Sequence, residues 1–254
     1  MPFAYFNSQP IYFELEGNPH ATPMVLLHGF LGSSESWRDV NYVRTLQPHF
    51  QIILIDLPGY GKSYKPHQPP EYELINRCNA VIAVLNHLNI TKAHFFGFSM
   101  GGRICYGLAK YYPNYCKSII IGAMSPYGNM PVDLDHRITM LQNGMHTVLA
   151  EYELANGKLP KNVAQRILTN DPQALIADTI ETKNWKGIDD LSSINTKILL
   201  FIGDQDPFLN EVKQAASELP RASIIIMPRT NHYQSFVRRH LIQIHISRFL
   251  NKPF

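Results

Sequence analysis

The sequence predicts an α/β protein: a mostly parallel, doubly wound sheet with an N-terminal antiparallel hairpin and an inserted helical cap. Three observations predict it. Short apolar runs recur, each bounded by glycine, proline or aspartate and each the length of a strand covered on both faces. Stretches of helical length separate these runs, and strands alternating with helices at this rhythm build a parallel sheet. The rhythm stops near Ser125 and resumes at Lys197, leaving an interval with helical patches and no strong strand.

Composition bounds the rest. A chain of 254 residues, 45% hydrophobic and 17% charged, has the make-up of a globular protein able to bury one substantial core plus a small insertion. The expected organisation is a core of residues 1–125 and 195–254 interrupted by a cap of residues 126–194. Net charge is only +3, with no cluster of Lys and Arg among interleaved aromatics, which argues against a nucleic-acid partner. No apolar run approaches membrane-spanning length, so no membrane partner is expected either. Met1-Pro2-Phe3-Ala4-Tyr5 lacks a basic region followed by an apolar stretch, so no secretory signal is expected and a cytoplasmic setting is the default. Cys78, Cys105 and Cys116 lack metal-ligand spacing and read as reduced thiols, the first two buried in helices.

Taken in order, Phe3–Phe6 and Ile11–Glu16 read as a hairpin around Asn7-Ser8-Gln9-Pro10. Met24–Leu27 is a buried strand ending in His28-Gly29-Phe30-Leu31-Gly32-Ser33, and a helix is expected over Ser36–Leu46. Gln51–Ile55 is the next strand. It runs into Asp56-Leu57-Pro58-Gly59-Tyr60-Gly61-Lys62-Ser63, whose tail imitates a phosphate-binding loop. The first glycine of such a loop would fall at Asp56, and Pro58 removes a backbone donor, so the nucleotide reading fails. A helix over Tyr72–Leu88 leads to a strand beginning at Ala93.

That strand ends in Gly97-Phe98-Ser99-Met100-Gly101, and a helix follows through Ile104, Leu108 and Tyr112. G-x-S-x-G between a strand and a helix is the form of a nucleophile elbow. A turn sharp enough to lift a hydroxyl above the sheet folds the chain back on itself, leaving no room for side chains two residues before and after the serine. A glycine-rich turn whose serine merely caps the helix is the simpler alternative. Lys117–Gly122 gives one more strand, and the cap interval carries helical patches at Leu134–Leu141, Thr147–Leu154, Val163–Leu168 and Pro172–Thr182. Tyr127, Arg137, Arg166, Lys183 and Trp185 are its candidates for lining a substrate pocket, each weighed against simple packing or solvation of the cap. The sheet resumes at Lys197–Ile202, followed by a helix over Glu211–Leu219, a strand over Ser223–Met227 and a helix over Gln234–Leu250.

Active sites in open parallel sheets lie at the carboxyl ends of the strands. Three such ends carry Ser99, an aspartate pair at Asp204 and Asp206, and His232. A serine hydroxyl needs a base to take its proton, imidazole titrates near neutrality, and a carboxylate fixes the imidazole tautomer. Asp206 stands further past its strand end than Asp204 and is the expected acid, with Asp204 left to brace the loop. The expected oxyanion donors are the backbone N–H groups of Phe30 and Met100.

Together, His28-Gly29-Phe30, Asp56 to Ser63, Gly97 to Gly102, Gly203-Asp204-Gln205-Asp206 and Asn231-His232 resemble the α/β-hydrolase superfamily over essentially the full chain. The resemblance implies the α/β-hydrolase fold and supports Asp206 as the acid. Asn231 departs from it, because members often carry glycine before the histidine. A serine nucleophile sets the chain apart from the dehalogenase and epoxide-hydrolase branches, which use aspartate. His28 to Ser33 with Trp37, and Arg103 after the elbow, are similar to the menaquinone-pathway lyase of this fold. The elbow also resembles small carboxylesterases, enol-lactonases, the esterase releasing pimeloyl thioester in biotin synthesis, and carbon–carbon bond hydrolases. For the lyase, Arg103, Arg137 and Arg166 would supply the cations that a multiply acidic substrate needs. Three functions are therefore expected, in descending order. The first is a serine hydrolase of a small or medium carboxylic ester or thioester, the second a lyase or C–C hydrolase with the same triad, and the third a non-catalytic ligand-binding module. No metal or organic cofactor is implied, and the expected partner is a small-molecule substrate.

Overall fold

The computed structural model describes residues 2–253. The strands are β1 (Phe3–Phe6), β2 (Gln9–Gly17), β3 (Pro23–Leu27), β4 (Gln51–Ile55), β5 (Ala93–Phe98), β6 (Cys116–Gly122), β7 (Ile198–Gly203) and β8 (Ala222–Met227). They form one sheet in the order β1-β2-β4-β3-β5-β6-β7-β8. β1 pairs antiparallel with β2, and β2 antiparallel with β4, while every later pairing is parallel.

The apolar strands have a simple explanation. In β3, Val25 and Leu27 face a layer that includes Ile104 and Leu108, whereas Met24 and Leu26 face a second layer built around Trp37, Phe50 and Ile246. Both faces are covered, so both sets of alternating residues are buried and the usual polar–apolar alternation disappears.

The helices are α1 (Glu35–Asp39), α2 (Tyr42–Leu46), α3 (Leu74–His87), α4 (Met100–Tyr111), α5 (Leu134–Gln142), α6 (Met145–Asn156), α7 (Lys161–Leu168), α8 (Pro172–Asn184), α9 (Leu209–Glu218), α10 (His232–Val237) and α11 (Gln243–Leu250). α5 to α8 lie between β6 and β7, in the interval where the strand rhythm stops. α8 packs against α5 and against the short turn at Pro69–Tyr72.

Two expected helices are each broken in two. Asn41 takes a left-handed φ of 60° and ends α1 before α2 begins. The last helix starts at His232, not Gln234, stops at Val237, passes through a 3₁₀ turn at Arg239–Leu241 and restarts at Gln243. The three cysteines are free and buried. Among the described residues no helix is long and apolar enough to cross a membrane.

Candidate active site

The turn after β5 has the crowding that its glycines imply. A Cβ on Gly97 would drive into the Gly101 carbonyl, and one on Gly101 into the Leu27 carbonyl. Ser99 adopts φ 52° and ψ −117°, a conformation that L-residues rarely hold, and its N–H is tied to the Gly122 carbonyl at 2.8 Å. The hydroxyl therefore stands at the start of α4, above the carboxyl edge of the sheet.

His232 reaches that hydroxyl. Its Nε2 lies 2.9 Å from Ser99 Oγ, and its Nδ1 lies 2.9 Å from Asp206 Oδ2. The Asp206 carboxylate is buried, and its other oxygen accepts the Phe208 N–H at 3.0 Å. Phe98 and Phe208 flank the imidazole, with ring centroids 5.4 and 5.8 Å away. Asp204 turns elsewhere. It accepts the Thr230 N–H at 3.1 Å, and backbone N–H groups of Arg229 and Thr230 hold its carboxyl below the usual range. It braces the loop that delivers His232.

Asn231 takes over where a glycine is more usual. Its side chain accepts the Gln234 N–H at 2.8 Å, and the Gln234 side chain accepts the Asn231 N–H at 3.1 Å. This reciprocal capping box starts α10 at His232 and fixes the approach of the imidazole. The spacing Asn231–Gln234 was the readable signal for that earlier start.

Phe30 and Met100 line the same cavity as Ser99, and a Cβ on Gly29 would sit 3.3 Å from the Ser99 Cβ. The His28–Phe30 loop thus lies directly over the serine. Met100 opens α4, so its N–H lacks the acceptor that a preceding helical turn would supply.

The loop resembling a phosphate cradle closes on its own carboxylate instead. Asp56 accepts the N–H groups of Ser34 at 2.7 Å and Lys62 at 2.8 Å, while the Lys62 ammonium goes to the Tyr12 hydroxyl at 2.9 Å.

Two cavities of about 190 Å³ each meet at Ser99, Phe30, Arg137 and His232. One is lined by Arg103, Asp178, Thr182 and Met130 among others. The other has mainly apolar walls, including Leu31, Val163, Ile167 and Phe236.

The arginines differ in role. Arg103 is buried, and its Nη1 donates to Thr182 Oγ1 at 2.9 Å, while its Nε has no partner among the described residues. Burial and the neighbouring Arg77 charge push its pKa down to about 9. Arg137 lies over the Phe30 ring, 4.6 Å from its centroid, and burial lowers its pKa too. Among the described residues no carboxylate forms an ion pair with either guanidinium. Arg166 is paired with Asp39 and so joins α7 to α1 at the wall of the apolar cavity.

Three of the expected pocket residues stand elsewhere. Trp185 supports Arg103 from behind, its ring 4.5 Å from the guanidinium carbon. Tyr127 forms a bridge with Gly187 and lines neither cavity. Lys183 is exposed and paired with Asp135 at 2.6 Å. Sequence reasoning missed Asp178, Thr182 and Arg77. The first two stand four apart on one face of α8 among buried Ala174, Leu175 and Ala177, and a polar pair inside an apolar stripe was the available signal.

Comparisons with known proteins agree with the fold. A family model described as alpha/beta hydrolase fold matches residues 22–159. A Bacillus subtilis (strain 168) protein provisionally assigned as 2-succinyl-6-hydroxy-2,4-cyclohexadiene-1-carboxylate synthase is 24% identical over 92% of both chains. YugF, an uncharacterized hydrolase of the same organism, is 27% identical over 94% of both. The enol-lactonase from Burkholderia xenovorans LB400 superposes with a TM-score of 0.88 at 19% identity, covering 99% of this chain and 100% of that one.

Proposed function

This chain belongs to the alpha/beta hydrolase fold family, and from that premise we propose that it is a serine hydrolase of a small or medium carboxylic ester or thioester. One observation carries the reading: Ser99 Oγ, the His232 ring and Asp206 form an unbroken hydrogen-bonded series with both links at 2.9 Å. Ser99 Oγ attacks the substrate carbonyl carbon as its proton passes to His232 Nε2. Asp206 holds the imidazole in the tautomer that leaves Nε2 free to accept, and stabilises the imidazolium. The N–H groups of Phe30 and Met100 receive the negative charge that develops on the carbonyl oxygen, where one such donor is typically worth roughly 10²–10³ in turnover. Collapse expels the alcohol or thiol, which takes the proton from His232. Water then attacks the acyl-enzyme with His232 again as base, releasing the carboxylic acid and restoring Ser99.

A specific observation favours a second reading. Arg103 and Arg137 face the cavity beside Ser99 with no carboxylate ion-paired to either among the described residues, a suitable environment for an acidic substrate. The same triad would then abstract a proton and drive an elimination, the second function expected from the sequence, and the Bacillus subtilis relative is itself named as the synthase of a carboxylate. The decisive experiment measures p-nitrophenyl acetate and butyrate turnover by wild type and Ser99→Ala, with intact mass after a fluorophosphonate probe. The expected result is turnover lost in the variant and one adduct on wild-type Ser99. Labelling without ester turnover moves the elimination reading to the front, and a folded Ser99→Ala protein with full activity overturns the nucleophile. With neither signal in the wild type, a non-catalytic binding role takes precedence.

A further inference from the structure

Asp178 lies on α8 and is only 1% exposed, at the wall of the Ser99 cavity. Three groups hydrogen-bond to it, and a fourth is reached through one of them. Arg77 of α3 makes an ion pair with it, the Tyr60 hydroxyl donates to Oδ2, and Thr182 Oγ1 donates to Oδ1 at 3.3 Å. The fourth is Arg103 of α4, which Asp178 reaches only through Thr182.

The direction of these bonds matters. A threonine hydroxyl has one proton. Once that proton is given to the Asp178 carboxylate, the lone pairs of Thr182 Oγ1 face the Arg103 guanidinium and accept from Nη1 at 2.9 Å. The carboxylate therefore polarises the hydroxyl and fixes which way Arg103 is held, while the Trp185 ring, 4.5 Å from the guanidinium carbon, adds a cation–π contact.

Charge points the same way. Arg77, Arg103 and Arg137 all feel the Asp178 charge, and Tyr60 and half-buried Glu181 are the other titratable groups that interact with Arg103. Burial pushes the Asp178 carboxyl up, but Arg77, the Tyr60 hydroxyl and the Arg103 charge together outweigh it and hold the group below its ordinary range. One buried carboxylate beside three guanidiniums leaves the cavity cationic, which an anionic ligand group would balance.

We propose that Asp178 is a positioning residue: acting through Thr182, it holds Arg103 so that the guanidinium receives an anionic group of the substrate beside Ser99. The proposal rests on the Ser99 cavity being the reaction site. Asp178 itself touches no reacting atom.

The test compares the hemisuccinate ester of p-nitrophenol, which carries a carboxylate, with the neutral butyrate ester. The enzymes are wild type, Thr182→Val, Thr182→Ser and Asp178→Asn. Thr182→Val removes the relay but keeps the buried Arg77–Asp178 pair, so it tests the idea even where Asp178→Asn does not fold. The ratio of kcat/KM for hemisuccinate to that for butyrate is expected to fall about tenfold in Thr182→Val, mainly through KM, as for one lost hydrogen bond to a charged group. Thr182→Ser restores the ratio, and folded Asp178→Asn lowers it as Thr182→Val does. An unchanged ratio in Thr182→Val, or an equal decline with both esters, overturns the proposal. Should wild type neither turn over an ester nor take the fluorophosphonate label, the acyl-enzyme reading fails by itself. Succinate-induced thermal stabilisation then decides the positioning role: weaker stabilisation of Thr182→Val supports it, and equal stabilisation overturns it.

Discussion

The triad and the arginine cavity lie side by side, yet they are built in opposite ways. Ser99, Asp206 and His232 are placed by local backbone devices, namely a glycine-flanked turn, an acid in the loop after β7 and a capping box at the start of α10. Each polar atom of the relay has its partner. The arginine cavity is held by contacts among α3, α4 and α8, and it keeps a buried, unpartnered donor on Arg103. A complete hydrogen-bonded series leaves none of its polar atoms wanting. An incomplete polar set is costly to bury, and the roles proposed for the two regions predict different responses to substitution.

The largest effect that breaks this contrast comes from the triad side. His232→Ala removes the base while leaving the cavity walls in place, and burst acylation by p-nitrophenyl butyrate is expected to fall by roughly 10⁴-fold or more. Thermal stability stays near wild type, because the imidazole is partly exposed and is no part of the apolar core. A burst of wild-type size in the variant removes His232 from the base role.

What could be read from the sequence follows the same division. The elbow, the acid loop and the histidine were legible because each depends on residue types at fixed short spacing, and the apolar strands were legible because both their faces are covered. Asp178 and Thr182 left only the trace of a polar pair in an apolar stripe, and their link to Arg77 left none. Asp178 and Arg77 are 101 positions apart, and nothing local marks an aspartate on a helix as the partner of a distant arginine. Tyr127 and Lys183 failed for the converse reason, since an aromatic or a charge in an insertion has no local feature that says which way it faces. The split at Asn41 was hidden too, because a single left-handed residue hardly disturbs the hydrophobic period.

A smaller effect comes from the arginine side. Arg103→Met keeps much of the side-chain volume and removes the charge. Its kcat/KM for the hemisuccinate ester is expected to fall about 10- to 100-fold, with a far smaller change for butyrate, as for loss of a charged hydrogen bond in a buried site. The pH dependence has a definite sign. Burial and the neighbouring Arg77 charge lower the Arg103 pKa, so alkaline pH can only weaken capture of the anionic ester, never strengthen it. Wild-type KM for hemisuccinate should therefore rise toward alkaline pH, while the Arg103→Met value stays flat there. Parallel pH profiles for the two enzymes would remove Arg103 from substrate capture.

The smallest effect concerns the cavity whose walls are mainly apolar and whose Arg166 is already paired with Asp39. Leu31, Val163, Ile167 and Phe236 offer only surface area, and Arg166 paired with Asp39 joins the walls contributed by α7 and α1. Area without direction discriminates weakly: one methylene in such a pocket is worth about 10- to 200-fold at best, and less where the walls can yield. Ile167→Trp adds bulk at a position 3% exposed and on the cavity wall. The preferred p-nitrophenyl ester is expected to become shorter, with hexanoate losing several-fold in kcat/KM relative to acetate. A chain-length profile that matches wild type would mean the apolar cavity does not receive the substrate chain, leaving the arginine cavity as the place where substrates are distinguished.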